Sequence, residues 1–197
     1  MIKIIGTTHL DSKESIEKII EVEKPEVLGV ELCELRAKIF LENLEPKKGE
    51  QVEEKNLLQK ITNSIKRKAE KENLDYGADM KTALRYGVNN NIPVVLVDMP
   101  ILKIQELFAK IPKEEQEGFT RDLMEFENKP EIEKEVNEEE VLDNLKTKYP
   151  VAFEFLVNMR NIYIANQILK VQRDNHNKKI LIFLGKAHLK NVELMIK

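Results

Sequence analysis

Four short apolar runs punctuate this chain, and between them apolar residues recur at helical spacing. The first run, residues 2–5, ends at Gly6. The second, 27–31, carries Val27, Leu28, Gly29 and Val30 and ends on Glu31. The third, 93–98, is strongly β-branched, ends on Asp98 and is terminated by Met99-Pro100. The fourth, 180–184, is apolar throughout. Each is short enough and apolar enough to be a buried strand.

The intervening stretches predict helices. Asp11 or Ser12 caps one that runs to about Glu23, with Glu14 completing a capping box from Asp11. Its apolar face is Ile16, Ile19 and Ile20, and Lys24-Pro25 stops it. Further helices are expected over 32–44, around Leu57, Leu58, Ile61 and Ile65, over 77–90 with Met80, Ala83 and Leu84 inward, and over 101–110. Pro150 opens a long helix to about 172, and a short one over 191–196 closes the chain.

Apolar strands alternating with helices predict an α/β fold with a mainly parallel central sheet flanked by helices on both faces. Right-handed crossovers then bring all strand carboxyl ends to one edge. The length suits a single α/β domain over 1–197. Residues 112–149 are acid-rich and include Glu138-Glu139-Glu140; they read as one or two surface helices, a charged insertion or lid within that domain.

Composition narrows the class. Charged residues make up 34% of the chain, yet the net charge is −3, which argues against nucleic acid as a partner. Lys and Glu dominate the charges, an enrichment also seen in heat-adapted proteins. The lone Cys33 forms no internal disulfide and is expected in the core. No apolar stretch approaches the roughly 20 residues of a membrane span. A strand starts at the first residues, so the expected location is the cytoplasm, and a homodimer is compatible with the chain.

The chemistry-bearing residues cluster at the strand exits. Gly6-Thr7-Thr8-His9 follows the first strand and Gly185-Lys186-Ala187-His188 the last, so one G-x-x-H turn occurs twice. Glycine is expected to let each turn bend sharply and bring the imidazole over the strand end. Ligands of open parallel sheets bind at that edge. Two imidazoles and Glu31 suffice for a catalytic divalent metal site with an open position for water. Imidazole and carboxylate ligands suit manganese, cobalt, zinc or iron alike. The plainer readings stand beside these. The histidines are either site groups or ordinary part-buried side chains, Glu31 serves either the site or a helix dipole, and Asp98 either the site or a turn. Arg36 is either an anion clamp or a surface ion-pair partner, Asp79 a site acid or a first-turn acid, and Arg160 a site cation or a structural salt bridge. His176, in a polar loop, is expected to be exposed. There is no HExxH helix, G-x-S-x-G elbow, P-loop or GxGxxG fingerprint, which argues against the enzymes those motifs mark.

Read in order, these residues resemble the TraB/PrgY family, related to the Tiki proteins and to the erythromycin-esterase/ChaN-like group. The likeness rests on Gly6-Thr7-Thr8-His9-Leu10, Val30-Glu31-Leu32-Cys33-Glu34-Leu35-Arg36, Gly77-Ala78-Asp79-Met80, Val97-Asp98-Met99-Pro100, Arg160-Asn161-Ile162-Tyr163-Ile164-Ala165 and Gly185-Lys186-Ala187-His188. Three positions depart from the family pattern: Met99 stands for Arg, Asn161 for Asp and Ala187 for Gly. The resemblance implies a metal-dependent peptidase or amidohydrolase acting on a peptide or protein. It implies metal ligands His9, Glu31 and His188, with Arg36, Asp79, Asp98 and Arg160 in support. It leaves two alternatives, a non-catalytic peptide-binding or regulatory module and an esterase-like hydrolase that uses His and Glu without metal. Many relatives also carry C-terminal membrane helices, so the resemblance implies that this chain is either a soluble form or an isolated domain.

Overall fold

The computed structural model describes residues 1–8, 11–44, 57–71, 73–128 and 138–197. His9 lies outside them. By contacts the chain divides into two compact units. One comprises Met1–Glu45, Gly77–Ile101 and Arg160–Lys197, and the other Pro46–Tyr76 and Leu102–Met159.

The first unit holds the sheet. Its strands are β1 (Ile2–Thr7), β2 (Val27–Val30), β3 (Val94–Leu96) and β4 (Ile180–Gly185), and its helices include α1 (Lys13–Glu23) and α2 (Glu34–Leu41). All strand pairings are parallel, in the order β1-β4-β2-β3. The α/β class and the parallel sheet flanked by helices are those expected from the hydrophobic pattern. Strand β4 alternates its side chains between two cores, as a pleated strand must. Leu181 and Phe183 join Leu28, Val30, Ile16 and Ile20 on one face, while Ile180, Ile182 and Leu184 join Val27 and Val97 on the other.

The remaining elements in chain order are α3 (Leu57–Lys71), α4 (Ala78–Asn89), α5 (Ile101–Phe108), α6 (Lys113–Asn128), α7 (Glu138–Lys148), α8 (Pro150–Phe153), a π-helical turn (Glu154–Asn158), α9 (Met159–Asp174) and α10 (Lys186–Ile196). Helix α4 brings Met80, Ala83 and Leu84 to the first core, as their spacing predicts. Helices α9 and α10 cover the second face through Ile164, Ala165, Ile168 and Val192.

Several local expectations need correction. Of the two expected caps Ser12 is the one used, its side chain accepting the Ser15 amide, and only the capping box from Asp11 fails. Asp11 turns back instead and accepts the amide and hydroxyl of Thr8 at 2.7 and 3.0 Å, so no capping box forms from it. Helix α2 starts at Glu34 rather than 32, leaving Glu31 and Leu32 in the connection. The long helix from Pro150 is interrupted by the π turn, which the apolar spacing does not signal. The closing helix begins at Lys186, five residues before Asn191, so His188 sits in the first turn of a helix and not in a loop.

The glycine argument changes as well. Gly185 has φ −58, which any residue adopts. Gly6 lies close against α10: a Cβ there would stand 2.7 Å from Leu189 Cδ2, so that side chain would have to shift to admit it. A left-handed backbone occurs instead at Gly77, φ 79, immediately before α4.

In the second unit α3 and α6 pair. Arg67 grips Glu127 through Nε and Nη2 at 2.8 and 2.9 Å, and Lys71 reaches the Glu127 carbonyl at 3.2 Å. The expected insertion 112–149 falls in this unit, which also includes α3. No helix among the described residues is long and apolar enough to cross a membrane.

Candidate functional site

Two acids reach the carboxyl edge of the sheet because β2 and β3 run side by side. Leu28, Gly29 and Val30 register with Val94, Val95 and Leu96. The ladder then continues past the strands, with Val97 donating its amide to the Val30 carbonyl at 3.0 Å and Asp98 to that of Leu32 at 3.3 Å. A tight turn follows at once, in which the Leu32 amide returns to the Val30 carbonyl at 2.8 Å. Glu31 and Asp98 are thereby neighbours on adjacent strand exits. They are 2% and 4% exposed, so an uncompensated charge on either would be costly.

Arg160, the second residue of α9, supplies the compensation. Its Nε donates to Asp98 Oδ1 at 3.1 Å and its Nη2 to Asp98 Oδ2 at 3.1 Å, a two-point grip. The same Nη2 donates to Glu31 Oε1 at 2.8 Å. Arg36, on the first turn of α2, brings Nη1 to 3.5 Å from Asp98 Oδ2. Asp98 also accepts the Met99 amide on Oδ1 at 2.7 Å. Two carboxylates thus face two guanidinium groups. Arg160 is 16% exposed and Arg36 28%, so Arg36 is the more open of the two cations.

The last strand contributes from the other side of β2. The Gly185 amide donates to Glu31 Oε2 at 2.6 Å. Three residues on, His188 is 5% exposed. Its Nε2 lies 3.5 Å from Glu31 Oε1, and its Nδ1 lies 2.6 Å from Asn161 Oδ1. Asn161, beside Arg160 on α9, is fully buried.

Asp79 has a different partner. It is fully buried at the start of α4 and accepts the Thr7 hydroxyl on Oδ2. Thr7 registers with Gly185 across β1 and β4, so this pair flanks the strand end where Glu31 is held.

Of the residues singled out in the sequence, Glu31, Arg36, Asp98, Arg160 and His188 therefore meet in one cluster, and Asp79 adjoins it through Thr7. His9 lies outside the described residues, and His176 is exposed as expected. Asn161 and Thr7 are partners that sequence reasoning passed over. A signal existed for Asn161. It falls in step with Ile164, Ala165 and Ile168, all buried at helical spacing, and a polar residue on such a stripe must find a partner.

Among the described residues, no group of three His, Cys, Asp or Glu side chains is arranged to hold a metal ion. Two donors nevertheless have the right chemistry and spacing. Metal bonds of roughly 2.0–2.2 Å to nitrogen and oxygen set two ligands of one ion about 3–3.5 Å apart. The 3.5 Å between His188 Nε2 and Glu31 Oε1 fits that span. The Asn161 oxygen on Nδ1 is the outer-shell contact that metal-binding imidazoles commonly make.

Fold and cluster together define an α/β protein with a buried, charge-paired site at the carboxyl edge of a four-stranded parallel sheet. No family model matches the chain. An uncharacterized protein from Methanocaldococcus jannaschii is 26% identical to it over 213 aligned residues. That alignment covers 100% of this chain and 53% of the relative, so the chain spans about half the length of the protein it matches.

Proposed function

We propose that this chain is a metal-dependent hydrolase of the peptidase or amidohydrolase type, acting on a peptide or protein. The observation that carries the reading is the approach of His188 Nε2 to Glu31 Oε1 at 3.5 Å, with the opposite ring nitrogen held by Asn161. His188 and Glu31 would hold a manganese, cobalt, zinc or iron ion, with His9 as the third ligand that the resemblance to TraB/PrgY proteins implies. The ion would lower the pKa of a bound water and polarise a scissile carbonyl.

The chain's own residues divide the remaining work. Arg160 spends Nε and Nη2 on Asp98 and Glu31, so it fixes the acids rather than gripping substrate. Arg36 holds Asp98 at only 3.5 Å and is the more exposed, which suits it to the oxyanion or to a peptide carboxylate. In the alternative arrangement Glu31, clamped between Arg160 and the Gly185 amide, stays off the metal and acts as general base.

A second reading keeps hydrolysis without metal, with His188 and Glu31 alone handling the proton. It is favoured by the occupancy of Glu31, both of whose oxygens already accept hydrogen bonds. Digestion of a peptide library by tag-free protein tests both. The metal reading expects cleavage with added manganese, cobalt or zinc that a chelator and His188→Ala abolish. Cleavage that survives the chelator but not His188→Ala favours the second reading. Retention of peptide without turnover under every ion favours a non-catalytic binding module.

A further inference from the structure

We propose that Arg36 sets the substrate class by receiving a carboxylate of the peptide on its guanidinium. The inference rests on the hydrolase reading and deepens it. The substrates are peptides with a free carboxylate near the scissile bond, and Arg36 binds that group rather than the oxyanion.

Asp98 does not need a second arginine. Arg160 already closes on it through Nε and Nη2 at 3.1 Å each, and the Met99 amide donates to Oδ1 at 2.7 Å. Arg36 adds one contact, from Nη1 to Oδ2 at 3.5 Å. Charge-assisted bonds from a guanidinium to a carboxylate close to about 2.7–2.9 Å, so this contact is a loose one. It is also the sole hydrogen bond or ion pair that Arg36 makes among the described residues. A guanidinium carries its N–H donors in a rigid planar fork, and most of this fork is unspent. Moreover, Arg36 and Arg160 approach the same Asp98 oxygen, where two like charges repel. A second anion would occupy the spare donors and relieve that repulsion.

The order of contacts locates this anion. Arg160 Nη2 touches Glu31 Oε1 at 2.8 Å and Asp98 Oδ2 at 3.1 Å, whereas Arg36 touches Asp98 alone. Of these four side chains Arg36 is the most open to solvent. It stands one ion pair outward from Glu31. A peptide with its scissile carbonyl at Glu31 meets Arg36 with a group further along its own chain. An oxyanion donor has to be fixed in advance by its surroundings. One contact of 3.5 Å does not fix Arg36, but it leaves the fork able to close on a ground-state carboxylate in a bidentate pair.

The test reads binding without turnover, so its failure is separable from failure of the hydrolase reading. The full chain is kept in a chelator and dialysed to equilibrium against pools of N-acetylated tetrapeptides, with retained peptide counted by mass spectrometry. One pool has free C-termini and no acidic side chain. A second holds the same sequences as C-terminal amides, and a third holds amides with a single Glu. The wild type is expected to retain acid-bearing peptides about tenfold or more over the neutral amides, the value of a charge-assisted pair. An excess in the first pool identifies a terminal carboxylate, and an excess in the third an acidic side chain. Arg36→Met should abolish the excess, and Arg36→Gln replaces it if that variant fails to fold. Equal retention of acids and neutral amides by the wild type, or retention of neither, would overturn the proposal. So would an excess that persists in the folded variant.

Discussion

Arg160 and Asp98, 62 positions apart in the chain, meet through two hydrogen bonds of 3.1 Å each. The contact joins a helix of one face of the sheet to the exit of its third strand, and Glu31 shares the same guanidinium. Removing the arginine would strand two buried carboxylates.

Arg160→Met is therefore expected to destabilise the protein by about 3 kcal/mol, the range for breaking a buried ion pair from one side. Asp98→Asn should cost less in that background than in the wild type, since the two groups act as a unit. Urea unfolding of the four proteins measures the coupling. Additive losses would show that the two-point grip contributes nothing of its own.

Arg36 should behave in the opposite way. At 28% exposure and 3.5 Å from Asp98 it contributes little to the fold, so Arg36→Met should change stability by less than about 1 kcal/mol. If Arg36 serves the oxyanion, the same change should lower kcat roughly 100-fold or more. Paired unfolding and turnover measurements separate the two. A large loss of stability with normal turnover would assign Arg36 to the fold instead.

Gly77 precedes α4 with φ 79, and α4 carries the buried Asp79. Gly77→Ala forces a side chain into the left-handed region, at a cost of about 1–2 kcal/mol. Gly77→Asn should cost less, because asparagine tolerates that conformation. Equal melting temperatures for both variants and the wild type would mean the turn relaxes out of that conformation.

The pair between α3 and α6 has a pH signature. The Arg67 hydrogen bonds hold the Glu127 carboxyl below its ordinary value of 4.5, more than burial raises it. The folded value being the lower one, the stabilisation is fully present above about 4.5 and disappears as pH falls through the folded value. The pair is largely solvent-screened, so the difference between wild type and Glu127→Gln should be roughly 0.5–1 kcal/mol near neutral pH. That difference should vanish in acid. A difference that grows on acidification would contradict the assignment.

The strands were readable from the chain because a strand buried on both faces needs an uninterrupted apolar run, and β4 supplies one in Ile180, Leu181, Ile182, Phe183 and Leu184. The meeting of Glu31, Asp98 and His188 was expected only in outline. It depends on β4 lying next to β2, with β3 beyond, and residue pattern carries no strand order. Asn161 reads in the sequence as a carboxylate lost from a family motif; in the fold it is the amide that holds the ring. His188 reads as a turn residue because Gly185 precedes it, yet Gly185 has an ordinary backbone and the helix starts one residue later. The π turn at Glu154–Asn158 leaves no mark on apolar spacing.

The most direct test of the central claim is calorimetric titration of manganese, cobalt and zinc into metal-free, tag-free protein, with His188→Ala and Glu31→Gln alongside. The account predicts one ion bound per chain in the wild type and loss of that binding in both variants. Binding of equal strength and stoichiometry in His188→Ala, or no binding of any of these ions by the wild type, would contradict it.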